Sequence, residues 1–151
     1  MSEFTARYLS DYKVSDFAIN AVDLTVTLSD TSTRVVSKLS IEKLNENAGE
    51  LVLDGEHLKL TSILLNDKPL VETEYQLTEA NLIVPVTQNQ FTLIIETEIN
   101  PAANTALEGL FKSGNAFCTQ CEAEGFRRIT YYLDRPDVMS IFTTKVIADK
   151  Q

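Results

Sequence analysis

One short segment, residues 117–136, contains most of the side chains in this sequence that could do chemistry together. It holds both cysteines, Cys118 and Cys121, followed by a Gln-x-Glu step and two adjacent arginines. A structural zinc site needs about four Cys or His ligands, whereas the chain has one histidine, His57, far upstream. A redox C-x-x-C opens a helix whose N-terminal dipole lowers the thiol pKa, and nothing before Cys118 predicts such a helix. We therefore expect two buried, reduced cysteines and no metal site in this chain.

The Gln-x-Glu step offers a different chemistry, the binding of a positively charged group. In an extended backbone Gln120 and Glu122 point to the same face, while Cys121 points to the other. Together they present the acceptor sites of a carboxylate and a carboxamide, which could satisfy the three donors and the single charge of an ammonium group. The alternative is that both side chains form the solvent face of an edge strand, and the spacing alone favours this alternative.

The charge balance restricts the possible partners. The 151-residue chain has 13 Lys and Arg against 22 Asp and Glu, a formal net charge of −9. Because phosphate backbones and anionic membranes bind to positive patches, we expect no nucleic-acid partner and no membrane partner. No apolar run approaches the roughly 18–20 residues of a membrane span, and residues 1–7 do not resemble a secretory signal. These features predict a cytoplasmic protein.

The elements that must position the segment are β-strands. Apolar and polar residues alternate in several stretches, first at Val22, Leu24, Val26 and Leu28, which is the pattern of a strand with one buried face. We count about eight such stretches, and the chain length suits one domain. The sequence thus predicts a single all-β domain over residues 1–151, a β-sandwich or open barrel of eight or more strands.

Local features complete the prediction of the fold. Asp54-Gly55 lies between two apolar runs and predicts a tight hairpin, and the stretch NDKP, residues 66–69, predicts a second turn. His57, just past the first of these turns, is expected to be a solvent-exposed strand residue. Helical structure is limited to one short turn that begins at Asp134 or Pro136.

Six residues at fixed spacing in the same segment resemble a known family. The N-terminal domain of M1-family zinc aminopeptidases carries Gln-x-Glu, then a double Arg, then Asp-x-Pro. The matching residues here are Gln120, Glu122, Arg127, Arg128, Asp134 and Pro136. The stretch GLFKS, residues 109–113, resembles the family's entry to this segment, and the β-pattern of residues 8–100 fits its saddle-shaped, open-barrel domain. At Thr130-Tyr131-Tyr132 the sequence departs from many members, which have Phe-Pro-Cys, and the two tyrosines are expected to pack in the core or at a domain contact.

The resemblance implies a role in substrate binding. By position, Glu122 would accept charge-assisted hydrogen bonds from the free α-ammonium group of a peptide, and Gln120 would help to orient it. The family's zinc site, an HExxH helix with a distant Glu, and its Gly-x-Met-x-Asn loop belong to a following domain that this chain does not contain. We therefore expect a substrate-gating fragment, truncated at its C-terminal end, from a zinc enzyme that removes N-terminal residues from peptides. The implied partners are the peptide N-terminus and the missing catalytic domain, and the fragment alone, which holds no catalytic residue and no zinc, is expected to be inactive.

The double arginine is expected to be structural. Arg127 and Arg128 are predicted to pair with Asp134 or Glu124, which would hold the loop through bidentate contacts.

A second class of function fits the composition and the strand count equally well. The chain could be a freestanding β-sandwich that acts as a protein-interaction module, and only the constellation from Gln120 to Pro136 separates the two interpretations. A truncated domain would also leave an unpaired strand edge near FTTKVIA, residues 142–148, through which two copies could self-associate.

Overall fold

The computed structural model of this chain describes residues 8–149. Within them the backbone forms eleven β-strands, three single-turn 3₁₀ helices and no α-helix. The strands are β1 Phe17–Thr27, β2 Thr33–Lys43, β3 Glu50–Asp54, β4 Lys59–Leu65, β5 Lys68–Pro69, β6 Gln76–Leu77, β7 Asn81–Pro85, β8 Gln90–Ile99, β9 Gly109–Ser113, β10 Ala116–Gln120 and β11 Ile141–Ile147. The 3₁₀ turns are Leu9–Asp11, Pro101–Ala103 and Phe126–Arg128. The prediction about a signal in residues 1–7 lies outside the described range.

The strands are arranged in three sheets. The largest has six strands in the order β11-β1-β2-β8-β4-β5, the second has three in the order β3-β7-β6, and β9 pairs with β10. Neighbouring strands are antiparallel except β1 and β11, which are parallel. Among the described residues no sheet closes on itself. The predicted all-β class, with at least eight strands, is confirmed.

Alternation along β1 places one row of side chains in the core. Val22 and Leu24 are buried and Asp23 between them is exposed, as a period of two predicts. The register shifts between Ile19 and Ala21, and Ile19 is buried as well. This β-bulge keeps the residues before and after it on the core side of the strand.

One hydrophobic core joins the six-stranded sheet to the three-stranded sheet. Leu39, Leu93 and Ile95 of the larger sheet belong to the same cluster as Leu51 and Leu82 of the smaller one, and all five are inaccessible to solvent. Full burial of such a side chain contributes roughly 1.5–3 kcal/mol. The two sheets are therefore held together by their apolar faces.

The predicted hairpin at Asp54-Gly55 is wrong. β3 ends at Asp54 and pairs with β7, whereas β4 joins the larger sheet beside β8. Glycine is needed at this position for another reason, because the Cε1 atom of Tyr131 lies 2.2 Å from where a Cβ on Gly55 would be. His57 is exposed as predicted, but it lies in a bend with a φ of 54° and not in a strand.

The turn predicted at residues 66–69 is confirmed. Asn66 and Asp67 have φ values of 48° and 63°, and they connect β4 to β5. Asparagine and aspartate tolerate this left-handed backbone better than other non-glycine residues.

A turn is formed where the sequence predicted the one helical turn, but it is not a helix, and the three 3₁₀ turns of the described residues lie elsewhere. The backbone there makes one turn, closed by a hydrogen bond of 3.2 Å from the N–H of Val138 to the O of Arg135. A single turn without further bonds does not offset the cost of helix nucleation. No helix within the described range has the length and the apolar character that a membrane span requires.

Candidate functional site

The Gln-x-Glu step lies at the end of the two-stranded ribbon formed by β9 and β10. Gln120, the last residue of β10, lies opposite Gly109 on β9. The connection between the strands contains Gly114, whose φ of 59° favours glycine. After Gln120 the chain turns over residues 122–125 and enters the 3₁₀ turn at Phe126–Arg128. We call residues 121–126 the amine loop, after the group that the family resemblance implies it binds.

Gln120 and Glu122 are brought together by a turn and not by a shared strand face. β10 ends at Gln120, and Glu122 lies in a turn. The prediction that the backbone stays extended as far as Glu122 is therefore wrong. The Nε2 atom of Gln120 donates a hydrogen bond of 3.0 Å to the backbone O of Glu122, and the peptide bond between Glu122 and Ala123 is cis. Both predicted site residues are exposed.

The pair leaves several acceptor atoms available to a ligand. One N–H of the Gln120 Nε2 group is engaged by Glu122, so its amide still offers the other N–H and the acceptor Oε1. Among residues 8–149, no side chain forms an ion pair with the Glu122 carboxylate. A carboxylate together with an amide oxygen can accept hydrogen bonds from a cation with several N–H donors. The substrate-binding role of the two residues stays a prediction.

Two glycines allow the amine loop to close against the ribbon. A Cβ on Gly125 would lie 2.5 Å from the O of Gln120, and a Cβ on Gly109 would lie 2.7 Å from the Cβ of Arg128. Gly109 also has a φ of 72°. The N–H of Gly125 donates a hydrogen bond of 2.9 Å to the O of Cys121. Any larger residue at either glycine would displace the loop, a constraint that the sequence analysis missed because both glycines occur in ordinary loop composition.

Arg127 joins the amine loop to Asp134. Its backbone N–H and its Nε both donate to Oδ2 of Asp134, at 3.1 and 3.0 Å. Its Nη2 donates to the backbone O of Asp134 at 3.0 Å and lies 3.7 Å from Oε2 of Glu124. The structural role predicted for Arg127 is confirmed, with both of its predicted partners.

Asp54 extends this network into the three-stranded sheet. Its Oδ2 accepts a hydrogen bond of 3.1 Å from the backbone N–H of Asp134, and its own backbone forms a β-bridge with Tyr132. Burial raises the pKa of the Asp54 carboxyl, while the hydrogen bond from Asp134 and the charge of Arg127 act in the opposite direction. The sequence analysis missed this role because Asp54 and Asp134 are 80 residues apart and no local pattern connects them.

Arg128 points away from Arg127 and has different partners. Its Nη2 lies 2.9 Å from Oε2 of Glu56, and its Nε lies 3.1 Å from Oε2 of Glu108 without the alignment of a hydrogen bond. The prediction that Arg128 shares the partners of Arg127 is therefore wrong. A 3₁₀ helix has three residues per turn, so adjacent side chains point about 120° apart.

Tyr131 and Tyr132 are both buried, which confirms that they pack in the core. The Oη atom of Tyr132 lies 2.6 Å from Oγ of Ser140, and its ring meets the ring of Phe126 edge-on at a centroid distance of 5.0 Å. Such pairs contribute about 0.5–1.5 kcal/mol beyond their burial. Phe126 therefore attaches the end of the amine loop to the core.

The two cysteines are free thiols. Cys118 and Cys121 are half-buried and form no disulfide, so they are less buried than predicted. Burial raises the pKa of the Cys121 thiol, and the negative charge of Asp134 adds to this effect, which keeps the thiol protonated near neutral pH. In the part of the chain that the structure describes, no group of three or more His, Cys, Asp or Glu side chains could hold a metal ion.

Similarity to known proteins identifies the family of this domain. A family model described as the peptidase M1 N-terminal domain matches residues 11–151. The chain belongs to the peptidase M1 N-terminal domain family. The resemblance carried by the residues from Gln120 to Pro136 is thereby confirmed.

The relatives of this M1 domain include bacterial aminopeptidases. It is 50% identical over 145 residues to aminopeptidase N of Escherichia coli K12 and 45% identical over 141 residues to aminopeptidase N of Caulobacter vibrioides. These alignments cover 96% and 93% of this chain and 16% of each relative. The fold matches that of Legionella pneumophila aminopeptidase A, solved in complex with aspartic acid, with a TM-score of 0.87 and 34% identity over 93% of this chain and 17% of that one. The M1 domain thus spans about a sixth of the length of these relatives.

Proposed function

We propose that this chain is the substrate-gating N-terminal domain of a zinc-dependent aminopeptidase, and that Glu122 and Gln120 bind the free α-amino group of the peptide. The observation that carries the proposal is the hydrogen bond from Nε2 of Gln120 to the O of Glu122. The bond holds the Gln120 amide against the main chain of Glu122, and its Oε1 would accept from a ligand together with the Glu122 carboxylate. Membership of the M1 family and similarity to two bacterial aminopeptidases support the class of reaction.

The chemistry of a peptide N-terminus suits these two acceptors. An α-ammonium group has three N–H donors and one positive charge, so Glu122 would neutralise the charge and Oε1 of Gln120 would take a further donor. Hydrogen bonds between ionised partners are about twice as strong as neutral ones. An N-acylated peptide has no such charge and would leave the carboxylate unpaired, at a cost of about 3–5 kcal/mol where a neighbouring domain buries it. The pair would therefore select peptides with a free N-terminus.

Zinc and the hydrolytic residues would come from the rest of the parent enzyme. Zinc bound there would activate a water molecule for attack on the peptide bond. The part of this chain that the structure describes contains no candidate metal cluster, and its contribution would be to set the distance between the amino terminus and the bond to be cut. A carboxylate at a set distance makes the first peptide bond the reachable one. A cytoplasmic location is part of the proposal, since the two free cysteines suit a reducing compartment.

The proposal is tested in a chimera in which residues 8–149 replace the matching segment of E. coli aminopeptidase N. Glu122→Gln should lower kcat/KM for alanine p-nitroanilide about 100-fold, equivalent to roughly 2.7 kcal/mol of binding energy. The melting temperature should change by less than about 3 °C, because Glu122 is exposed and its substitution costs little stability. Discrimination against N-acetylated alanine p-nitroanilide should fall in the same variant.

Glu72→Gln is the matched control for this experiment. Glu72 is an exposed glutamate in the connection between β5 and β6, so its substitution removes the same charge away from the ribbon. Its kcat/KM should equal that of the unmodified chimera. A folded, zinc-loaded chimera without activity would contradict the proposal, and so would a Glu122→Gln variant that keeps both activity and discrimination.

A protein–protein contact through β11 is a second candidate function. β11 lies at the edge of the six-stranded sheet, and all seven of its residues are exposed. A strand that is paired on one side presents free backbone N–H and C=O groups to another strand. We propose a second copy of this chain as the partner, because identical edges can pair around a two-fold axis.

A further inference from the structure

We propose that Asp54 is a positioning residue for Glu122, and that it acts through Asp134 and Arg127, which hold the amine loop in place. Asp54 ends a strand of the three-stranded sheet, whereas Glu122 follows the two-stranded ribbon. The effect on peptide hydrolysis rests on the proposed function, but the effect on the loop itself does not.

The first link is the rigid placement of Asp54. Its backbone N–H donates a hydrogen bond of 2.8 Å to the O of Tyr132, and its backbone O accepts one of 3.1 Å from the N–H of Tyr132. Its Oδ1 lies 3.5 Å from Nδ2 of Asn81. The main chain of Asp54 is therefore fixed by two hydrogen bonds to Tyr132. Its side-chain Oδ2 accepts the hydrogen bond from the N–H of Asp134.

The second link is the transfer of this position to Arg127. The N–H of Asp134 donates to Asp54, and its Oδ2 and backbone O accept hydrogen bonds from Arg127. Because Nε and Nη2 of Arg127 reach two acceptors of one residue, the contact fixes the plane of the guanidinium as well as its distance. The side chains of Arg127 and Asp134 are only 16% and 11% exposed, so water competes weakly for these bonds.

The third link connects Arg127 to the carboxylate that would bind substrate. Arg127 directly follows the amine loop, and its backbone O accepts a hydrogen bond of 3.0 Å from the N–H of Glu56, just beyond β3. The bonds from Gln120 to Glu122 and from Gly125 to Cys121 are local and do not orient the loop relative to the three-stranded sheet. Phe126 packs on the core, but apolar contacts are non-directional. The directional bonds made by Asp54 and Glu56 thus connect the C-terminal end of the amine loop, through Asp134 and Arg127, to the three-stranded sheet.

The charges around Asp54 explain how the variants should differ. The groups that face it are Arg127, Asp134 and Glu124, and Arg135 is also near. Asp54→Ala removes the acceptor of the Asp134 N–H. Asp54→Asn keeps an amide oxygen in the same place and removes only the charge. If Asp54 acts through the acceptor that it places beside Asp134, Asp54→Asn should keep the amine loop nearly as well held as in the native chain. Asp54→Ala should not.

Amide hydrogen exchange in the 151-residue chain tests the structural part directly. In Asp54→Ala, the amides of Gly125 and Arg127 should exchange on the order of tenfold faster, while the amides of β2 and β8 keep their protection. Asp54→Asn should stay close to the native rates. The matched control is Asp137→Ala, because Asp137 is bonded to Arg135 and Tyr12. Unchanged exchange at the amides of both Gly125 and Arg127 would overturn the proposal.

A second variant guards against loss of folding. Arg127→Lys keeps the positive charge but cannot form the forked contact with Asp134. If Asp54→Ala does not fold, Arg127→Lys should accelerate exchange at Gly125 in the same way. Native exchange in a folded Arg127→Lys chain would then overturn the proposal.

A double-mutant cycle in the chimera tests the functional part. Asp54→Ala should lower kcat/KM for alanine p-nitroanilide about tenfold, mainly through KM, because an ammonium contact is made in the ground state as well. In the Glu122→Gln background the same substitution should cause no further loss. Losses that multiply independently would overturn the link between the two residues. If Glu122→Gln alone has no effect, the proposed function fails, and hydrogen exchange still decides whether Asp54 holds the loop.

Discussion

The backbone N–H of Asp134 donates a hydrogen bond of 3.1 Å to Oδ2 of Asp54, although the two residues are 80 positions apart in the sequence. Burial raises the pKa of the Asp54 carboxyl above its ordinary value of 3.8, against the opposing effects of this hydrogen bond and of the Arg127 charge. A carboxyl with a raised pKa binds a proton more tightly in the folded chain than in the unfolded chain. The stability of the domain must therefore depend on pH through this residue.

We expect the stability contributed by Asp54 to fall as the pH rises. Below its unfolded pKa the group is protonated in both states and its contribution is complete, and the contribution is lost as the pH rises through the higher folded pKa. Urea denaturation at pH values from about 3.5 to 7 measures the free energy of unfolding. The difference between the native chain and Asp54→Asn should decrease over this range.

Glu96 provides a control with the opposite sign. The hydrogen bond from the Arg34 guanidinium lowers the pKa of Glu96 below its ordinary value of 4.5. Its stabilising contribution is therefore present above that value and is lost as the pH falls through the folded pKa. The difference between the native chain and Glu96→Gln should increase with pH. If the two stability differences change with pH in the same direction, the burial described for the Asp54 carboxyl is contradicted.

Gly125→Ala is expected to reduce the free energy of unfolding by about 1–3 kcal/mol, the usual cost of overpacking. The added methyl group would lie 2.5 Å from the O of Gln120 and 2.8 Å from the Cα of Cys121, which are both backbone atoms. Gly49→Ala is the matched control, since no heavy atom lies within 4 Å of its Cβ position, and its effect should stay within about 0.5 kcal/mol, apart from a small entropic gain. Urea denaturation compares the two, and equal stabilities would show that the amine loop does not close on Gly125.

The 151-residue chain is expected to self-associate weakly through β11. The net charge of −9 opposes the approach of two copies, so higher ionic strength, which screens this repulsion, should increase the dimer fraction. Light scattering over a concentration series at low and high salt measures the change. Val146→Glu should abolish it, whereas Val71→Glu, at a site that is equally 60% exposed but lies outside β11, should not. A native chain that is monomeric at every concentration and at both salt levels would exclude this contact.

The 151-residue chain by itself is expected to contain no stoichiometric zinc and to have no peptidase activity. Residues 8–149 lack a cluster that could hold a metal, and Glu122 and Gln120 are proposed to bind substrate without reacting with it. Elemental analysis and an alanine p-nitroanilide assay with added zinc measure both properties. Activity that follows the protein through successive purification steps, and that is lost in Glu122→Gln prepared in the same way, would refute this expectation.

Local pattern was sufficient to predict the class of the fold and the family. The alternation around Val22 and Leu24 is visible within a few consecutive residues. Apolar residues at every second position form a β-strand when one face is buried. The contact of Arg127 with Asp134 spans seven residues, so the spacing of the motif already brought it within reach.

The sequence by itself determined the β-strands, the motif from Gln120 to Pro136 and the acidic surface, because these depend on residue type and short spacing. Only the tertiary structure decided which strands pair with each other. Asp54-Gly55 has the local chemistry of a hairpin, yet β3 pairs with β7, and β11 pairs in parallel with β1 across most of the chain. Such pairings are selected by the shared burial of distant apolar faces. That selection placed Asp54 beside Asp134 and connected a strand of one sheet to the loop that presents Glu122.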